Sequence, residues 1–167
     1  GTVNAYNNVA IGRESLTNIT SGYENVAVGM YAGQDLTTAT STVLIGMNAG
    51  MNLTTGTYNT VMGFEALKTS AGGTYNVAIG YPAMRSHSEA AATFNVAVGS
   101  KTMYNIETGT NNVVLGDSAM YGKTGTDNDD NIAIGASALY TASGVTNTVA
   151  IGHAAAYNVT TGDNNTI

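Results

Sequence analysis

An all-β solenoid, a β-roll or β-helix of about ten coils of 17 residues, is the fold class that three features of this 167-residue chain predict. A five-residue motif, NVAIG or a close variant, recurs along the chain. The glycine that closes it returns at nearly constant spacing. The stretches between carry turn residues instead of helical periodicity.

The closing glycines are Gly12, Gly29, Gly46, Gly63, Gly80, Gly99, Gly116, Gly135 and Gly152, at steps of 17, 17, 17, 17, 19, 17, 19 and 17. Coils therefore start at Asn8, Asn25, Thr42, Asn59, Asn76, Asn95, Asn112, Asn131 and Thr148, with a tenth beginning at Asn165. The extra residues of the two 19-residue steps fall around Ser86 to Glu89 and Gly122 to Thr124, on one side of the array. Residues 1–167 thus read as a single repeat-array domain. Both ends stop within the pattern, which is expected of a segment of a longer fibre because solenoids need capped ends.

The V-A-I triplets are β-rich and short, and T-G or S-G pairs precede the next motif as turn signals. Helical repeats need more than about 30 residues per unit, so a 17-residue unit excludes them. Two short strands per coil are expected. Ten coils at about 4.8 Å per rung predict a rod on the order of 45–50 Å long.

Period two divides the first strand into two faces. Its second position (Val9, Val26, Val43, Thr60, Val77, Val96, Val113, Ile132, Val149) and its fourth (Ile11, Val28, Ile45, Met62, Ile79, Val98, Leu115, Ile134, Ile151) share one face, expected to line the coil's core. The second half of the coil adds Leu16, Leu67, Met84, Met103, Met120 and Leu139, with Ile19, Leu36, Leu53 and Ile106 three positions later. The other face of the first strand carries Ala10, Ala27, Leu44, Val61, Ala78, Ala97, Val114, Ala133 and Ala150, followed by the glycine column. A strand apolar on both faces is normally covered on both. This small-residue face, with Gly12, Gly29, Gly46, Gly63, Gly80, Gly99, Gly116, Gly135 and Gly152, is therefore the expected interface with other copies of the chain.

Asn at the head of most coils tolerates corner geometry, and amides stacked one rung apart can form a ladder. Two aromatic columns stand out. Tyr104, Tyr121, Tyr140 and Tyr157 lie five residues after successive glycines, and Tyr58, Tyr75 and Phe94 lie just before the Asn column. Rings so placed can stack along the array or offer a sugar-binding strip.

Charged residues make up 10% of the chain, against about a quarter in ordinary domains. A net charge of -6 with five Lys and Arg argues against a nucleic-acid partner, which needs clustered cations. No apolar run is long enough for a spanning helix, so direct membrane insertion is not expected. Without cysteine there is neither a disulfide frame nor a thiolate site.

No enzyme is expected, and no cofactor. His87 and His153 belong to coils four apart, and Glu14, Glu65 and Asp117 to coils three apart, so neither set forms a catalytic group. The run DNDDN supplies Asp127, Asp129 and Asp130 as a candidate Ca²⁺ site, without the spacing of a calcium loop. Glycosylation acceptor patterns at Asn18, Asn52, Asn158 and Asn164 are expected by chance in so Asn- and Thr-rich a chain.

The NVAIG and NVAVG motifs resemble the repeats of trimeric autotransporter adhesin heads. The fuller unit NVAIGRESLTNITSGYEN resembles arrays in phage tail fibres and bacterial surface fibres. The resemblance covers essentially the whole chain, although the period here is longer than in the adhesin heads. It implies a homotrimeric fibre segment of a virion or bacterial surface, extracellular, serving as shaft and as a surface for a host glycan or receptor. Two alternatives come from the residues themselves. Thr20, Thr37, Thr54, Thr126 and Thr160 share one column, and Thr40, Thr57, Thr74, Thr93, Thr110 and Thr146 another, a hydroxyl-and-methyl surface that an ice-binding solenoid could use, although Ala71, Ala90, Glu107 and Ser143 break the first column. The uncapped pattern also suits a subunit of an end-to-end filament.

Overall fold

The computed structural model, described for residues 4–86, 92–123 and 127–167, is a parallel β-solenoid without α-helix among those residues. Strands β1 (Val9–Ile11), β2 (Val26–Val28), β3 (Val43–Ile45), β4 (Thr60–Met62), β5 (Val77–Ile79), β6 (Val96–Val98), β7 (Val113–Leu115), β8 (Ile132–Ile134) and β10 (Val149–Ile151) stack in chain order into one nine-stranded sheet. Each motif position pairs with its equivalent one coil on, Val9 with Val26, Ala10 with Ala27 and Ile11 with Val28. The short β9 (Val145–Thr146) pairs with β11 (Gly162–Asp163) on a second side.

The expected second strand in every coil is not formed. Two and four residues after the closing glycine the backbone is left-handed, as at Glu14 (φ 54°), Leu16 (φ 51°), Ser118 (φ 53°) and Met120 (φ 47°), and it is so again just before the Asn column, as at Asn7 (φ 55°) and Tyr58 (φ 59°). An extended strand does not accommodate such residues. The second half is instead a chain of turns tied to adjacent coils, where Tyr31 N donates to Arg13 O (2.9 Å) and Asn18 N to Gln34 O (3.1 Å). Parallel stacking thus satisfies the backbone even where no strand forms.

The glycine column has a reason internal to the coil. At Gly80 φ is +134°, and an added Cβ would lie 2.2 Å from the carbonyl oxygen of Gly99. A side chain there would meet backbone of the next coil.

The two faces of the strand are reversed relative to expectation. Ala27, Leu44, Val61, Ala78, Ala97, Val114, Ala133 and Ala150 are fully buried in the chain's own core. Across from them lie Leu16, Leu67, Met84, Met103, Met120 and Leu139, with Leu36, Leu53 and Ile106 completing the filling. The Val and Ile columns point outward, Val9 at 46% and Ile11 at 58% exposure in the first coil. The physical reason is the narrow lumen. A three-residue strand turned sharply at glycine leaves room for one side chain per rung, Ala in most coils and Val at Val61 and Val114, against the Leu and Met of the other wall.

The exception supports this account. Leu44 replaces Ala in the strand, and there the facing column holds Gly33 and Gly50. A Cβ on Gly33 would sit 2.6 Å from Leu44 Cδ1, and one on Gly50 2.7 Å from Leu44 Cδ2. Bulk has moved from one wall of the lumen to the other at nearly constant filling.

The Asn column behaves as expected. Asn95 Nδ2 donates to Gly109 O at 2.7 Å, closing its own coil, while Asn95 Oδ1 accepts from Asn112 N and Nδ2, both at 3.0 Å. Asn25, Asn59, Asn76, Asn95, Asn112 and Asn131 are buried to 1% exposure or less, so the ladder replaces water for corner groups that the fold hides. Thr42 takes over part of this role, its amide donating to Asn25 Oδ1 (3.0 Å) and its Oγ1 to Gly56 O (3.4 Å).

Candidate functional site

The proposed interface residues Ala27, Leu44, Val61, Ala78, Ala97, Val114, Ala133 and Ala150 cannot contact another chain, because they are sealed inside their own coil. Ala10, in the first rung, is exposed but belongs to the same inward column. Gly12, Gly29, Gly46, Gly63, Gly80, Gly99, Gly116 and Gly135 turn the space a side chain would fill toward the next coil of the same chain. At Gly152 the nearest atom to such a Cβ is Ala155 Cβ at 3.9 Å.

The surface that replaces this one is the outer face of the nine-stranded sheet. Its two columns of Val, Ile, Met and Leu, interrupted by Thr60, are half-buried or exposed in every coil, with Ile11 (58%) and Ile151 (59%) the most open. Both edges of this face add apolar area. After the glycine come Met30, Met47, Phe64 and Tyr81, and before the Asn column Tyr58, Tyr75 and Phe94, all exposed. The post-glycine column went unread in the sequence because its other coils hold Arg13, Ser100, Asp117, Ala136 and His153, which hide it as a column.

Both predicted aromatic columns form stacks. Tyr58 and Tyr75 lie 4.9 Å apart at 14°, and Tyr75 and Phe94 4.8 Å apart at 5°. Tyr104, Tyr121, Tyr140 and Tyr157 continue ring on ring at 4.9 to 5.2 Å and 4° to 14°. Parallel rings one rung apart cover much of one another's faces, so edges and hydroxyls are what they chiefly present outward. Tyr6 and Tyr23 make a further stack (4.8 Å, 3°), and Phe64 and Tyr81 a tilted pair (5.3 Å, 44°).

The two predicted columns occupy different sides. Tyr58, Tyr75 and Phe94 border the outer sheet face. The Tyr104 column follows immediately on the inward-pointing column of Met103, Met120 and Leu139, which faces the strand across the core, and so lies on the far side. Beside it an open cleft of about 590 Å³ is lined by Tyr121, Gly122, Lys123, Tyr140, Thr141, Ser143, Thr160 and Thr161. That volume lies within the range of small-ligand sites.

The acidic run is drawn into the ladder. Asp127 Oδ1 accepts from Thr108 Oγ1, Asp129 Oδ1 from Thr110 N (2.7 Å) and Oγ1 (3.0 Å), and Asp130 Oδ1 from Asn111 Nδ2 (3.1 Å). These carboxylates reach back to three different residues of the preceding coil, and no cluster of three metal-ligating side chains occurs among the described residues. In the first Thr column Thr20 Oγ1 donates to Thr37 O, Thr37 Oγ1 to Thr54 O, and Thr54 Oγ1 to Ala71 O (3.1, 3.0 and 2.7 Å). Those hydroxyls donate to the backbone of the next coil, the bonds of Thr20 and Thr54 lying at the exposed surface. Thr40, Thr57, Thr74, Thr93, Thr110 and Thr146 are half-buried, and Thr126 lies outside the described residues.

The carboxylates Glu14, Glu65 and Asp117 serve local partners. Glu14 accepts from Gln34 Nε2 (2.9 Å), and Asp117 from Ser118 Oγ (3.1 Å). Glu65 pairs with Lys68 Nζ (2.6 Å) and Arg85 Nε (3.3 Å). The Lys68 hydrogen bond, with the neighbouring positive charges, holds the Glu65 carboxyl below the usual carboxylate range against the opposing effect of burial. His153 is exposed at the post-glycine edge, and His87 falls outside the described residues.

By fold and surface the chain is a parallel β-solenoid repeat protein, built of 17-residue coils around an Asn ladder, with an apolar outer sheet face. No family model matches it, and neither do curated proteins or solved structures.

Proposed function

We propose that this chain is a non-enzymatic structural segment of an extracellular fibre, on a virion tail or a bacterial surface, in which three copies associate through the outer Val and Ile face. The observation that carries the reading is the apolar stripe over nine coils, interrupted in one column at Thr60 and about 38 Å long at 4.8 Å per rung. Soluble monomers rarely expose such a surface, and a parallel sheet is normally covered on both faces. A repeating stripe is best matched by a partner with the same repeat, and a second copy supplies it. The number three rests on the resemblance of the NVAIG unit to trimeric fibre repeats. Sedimentation equilibrium tests the reading, with a trimer mass expected; replacing Ile79 and Val98 together by Lys should yield monomers that keep the β spectrum. A stable monomer for the unaltered chain would refute it.

A glycan-binding role on the far side is favoured by the cleft beside Tyr121 and Tyr140, where ring edges and the hydroxyls of Ser143, Thr160 and Thr161 border one space. This side stays open when the sheet face is covered. Binding to a glycan panel, lost in Tyr121→Ala, is the expected outcome. An unaltered panel signal in that variant would remove the cleft from the account.

A further inference from the structure

The row of tyrosines beside the cleft indicates which class of saccharide it fits, an inference that rests on the glycan reading proposed above. From Tyr104 to Tyr157 the four rings follow one another at 5.1, 5.2 and 4.9 Å, nearly parallel, and the Arg85 guanidinium lies over the first, 5.7 Å from its centroid. Stacking accounts for the rings. It does not account for the hydroxyls, because phenylalanine stacks as well, as Phe94 does on Tyr75 at the border of the sheet. Hydroxyls on parallel rings about one rung apart are also too distant to hydrogen-bond one another. All four members of this row are nevertheless tyrosine, whereas the same position in the first five coils holds Thr17, Gln34, Met51, Lys68 and Arg85. The outcome is a straight row of hydroxyls, one per coil, on half-buried or exposed side chains.

We infer that Tyr104, Tyr121, Tyr140 and Tyr157 bind a linear, extended, β-linked polysaccharide laid along the solenoid axis, one sugar unit to each coil. In a chain such as cellulose or chitin, equatorial bonds at opposite ends of each pyranose ring make every unit advance by close to the ring spacing of this row. Each unit then offers a hydroxyl at the height of a tyrosine, which both donates and accepts. An α-linked chain coils, shortens its rise and falls out of step. The surroundings suit a hydroxyl-rich ligand. The adjacent column holds Asn105, Gly122, Thr141 and Asn158, and neither column carries a charge over these four coils. Lys123 is the one charged residue lining the cleft, and its ammonium is a further donor to sugar hydroxyls. Tyr121 and Tyr140, which line the cleft, form the middle of the row, so Tyr104 and Tyr157 extend it by one unit at each end.

Isothermal titration calorimetry with cello- and chito-oligosaccharides of two, four and six units, and with the α-linked maltose series, tests this alignment. Affinity is expected to climb from two units to four in a β-linked series and to level off at six, because the row has four members. The maltose series should show no such climb. Tyr104→Phe/Tyr157→Phe keeps the stack, and neither residue lines the cleft. It should weaken binding of the four-unit saccharide about fivefold or more, with binding of the two-unit saccharide and the far-ultraviolet spectrum unchanged. Equal affinity at every length, an equal climb for the maltose series, or no effect of the double variant would overturn the axial row and leave the cleft as a site for a short or terminal sugar. Binding confined to other members of the glycan panel would overturn it too. Absence of binding to any saccharide removes the glycan reading itself.

Discussion

Replacing Leu44 by Ala removes the largest side chain of the strand-side core column at a site with no solvent exposure. Buried Leu→Ala changes cost about 2–5 kcal/mol, according to how far the surroundings relax into the space. Here the facing wall is Gly33 and Gly50, which have no side chain to move in, so a loss of about 3–4 kcal/mol is expected. Gly50→Leu alone should also destabilise, by about 1–3 kcal/mol, since the three atoms nearest its Cβ all belong to Leu44, the closest at 2.7 Å. Combined, the two changes should largely cancel. Leu44→Ala/Gly50→Leu recreates the Ala-opposite-Leu arrangement of the strand in coil one, and the left-handed φ of 56° at Gly50 matches that of Leu16 and Leu67, 51° and 50°. Urea unfolding followed by far-ultraviolet circular dichroism gives the four midpoints of the cycle, with a favourable coupling of about 3–6 kcal/mol expected if the double variant stays within about 1 kcal/mol of the unaltered chain. A double variant as unstable as the sum of the singles would refute the account of a lumen with constant filling.

Asn95→Ala leaves Gly109 O and Asn112 N without their partner in a buried corner and should cost about 2–4 kcal/mol in the same assay, whereas Asn95→Thr, imitating Thr42, should cost less than half of that. Equal losses would deny the ladder its role. Gly80→Ala should lower stability by about 3 kcal/mol or more, because its Cβ meets Gly99 backbone. Gly152→Ala, with φ +132° and no atom within 3.9 Å, should be milder, and similar melting temperatures would contradict the close-approach argument. The carboxyl of Glu65 titrates below its ordinary value in the folded chain, so its contribution is present above the unfolded-state pKa and is lost as pH falls through the depressed folded value. Stability measured through that acid window should decline less in Glu65→Gln than in the unaltered chain; parallel curves would show that the Lys68 and Arg85 pairing contributes nothing.

Much of this was legible along the chain. The 17-residue period, the head-of-coil Asn ladder, the identity of the opposing Leu and Met core and the two aromatic stacks all follow from residues recurring in fixed columns, since parallel stacking places like on like. The outer sheet face was half legible. Period two places Val9 and Ile11 on one face of the strand and Ala10 on the other, as the structure has them. The assignment of inside and outside failed because hydrophobicity alone favours the larger side chains for the core. The second strand failed for a backbone reason. Glu14, Leu16 and Met84 are not residues that announce a left-handed conformation, yet the coil imposes it on them.

What the sequence determined by itself is the repeat, and with it everything that depends on one coil lying upon another. The strand pairing, the Asn corner and the ring stacks need only the period and the residue type. The tertiary structure decided which way each strand faces and how wide the coil is. Period two tells which side chains lie together but carries no sign. The sign is set by lumen volume, which depends on turns closing at Gly12 and its equivalents and on Leu or Met reaching across from the other wall. Those are properties of the closed coil, and they turn Val and Ile outward while Ala fills the core.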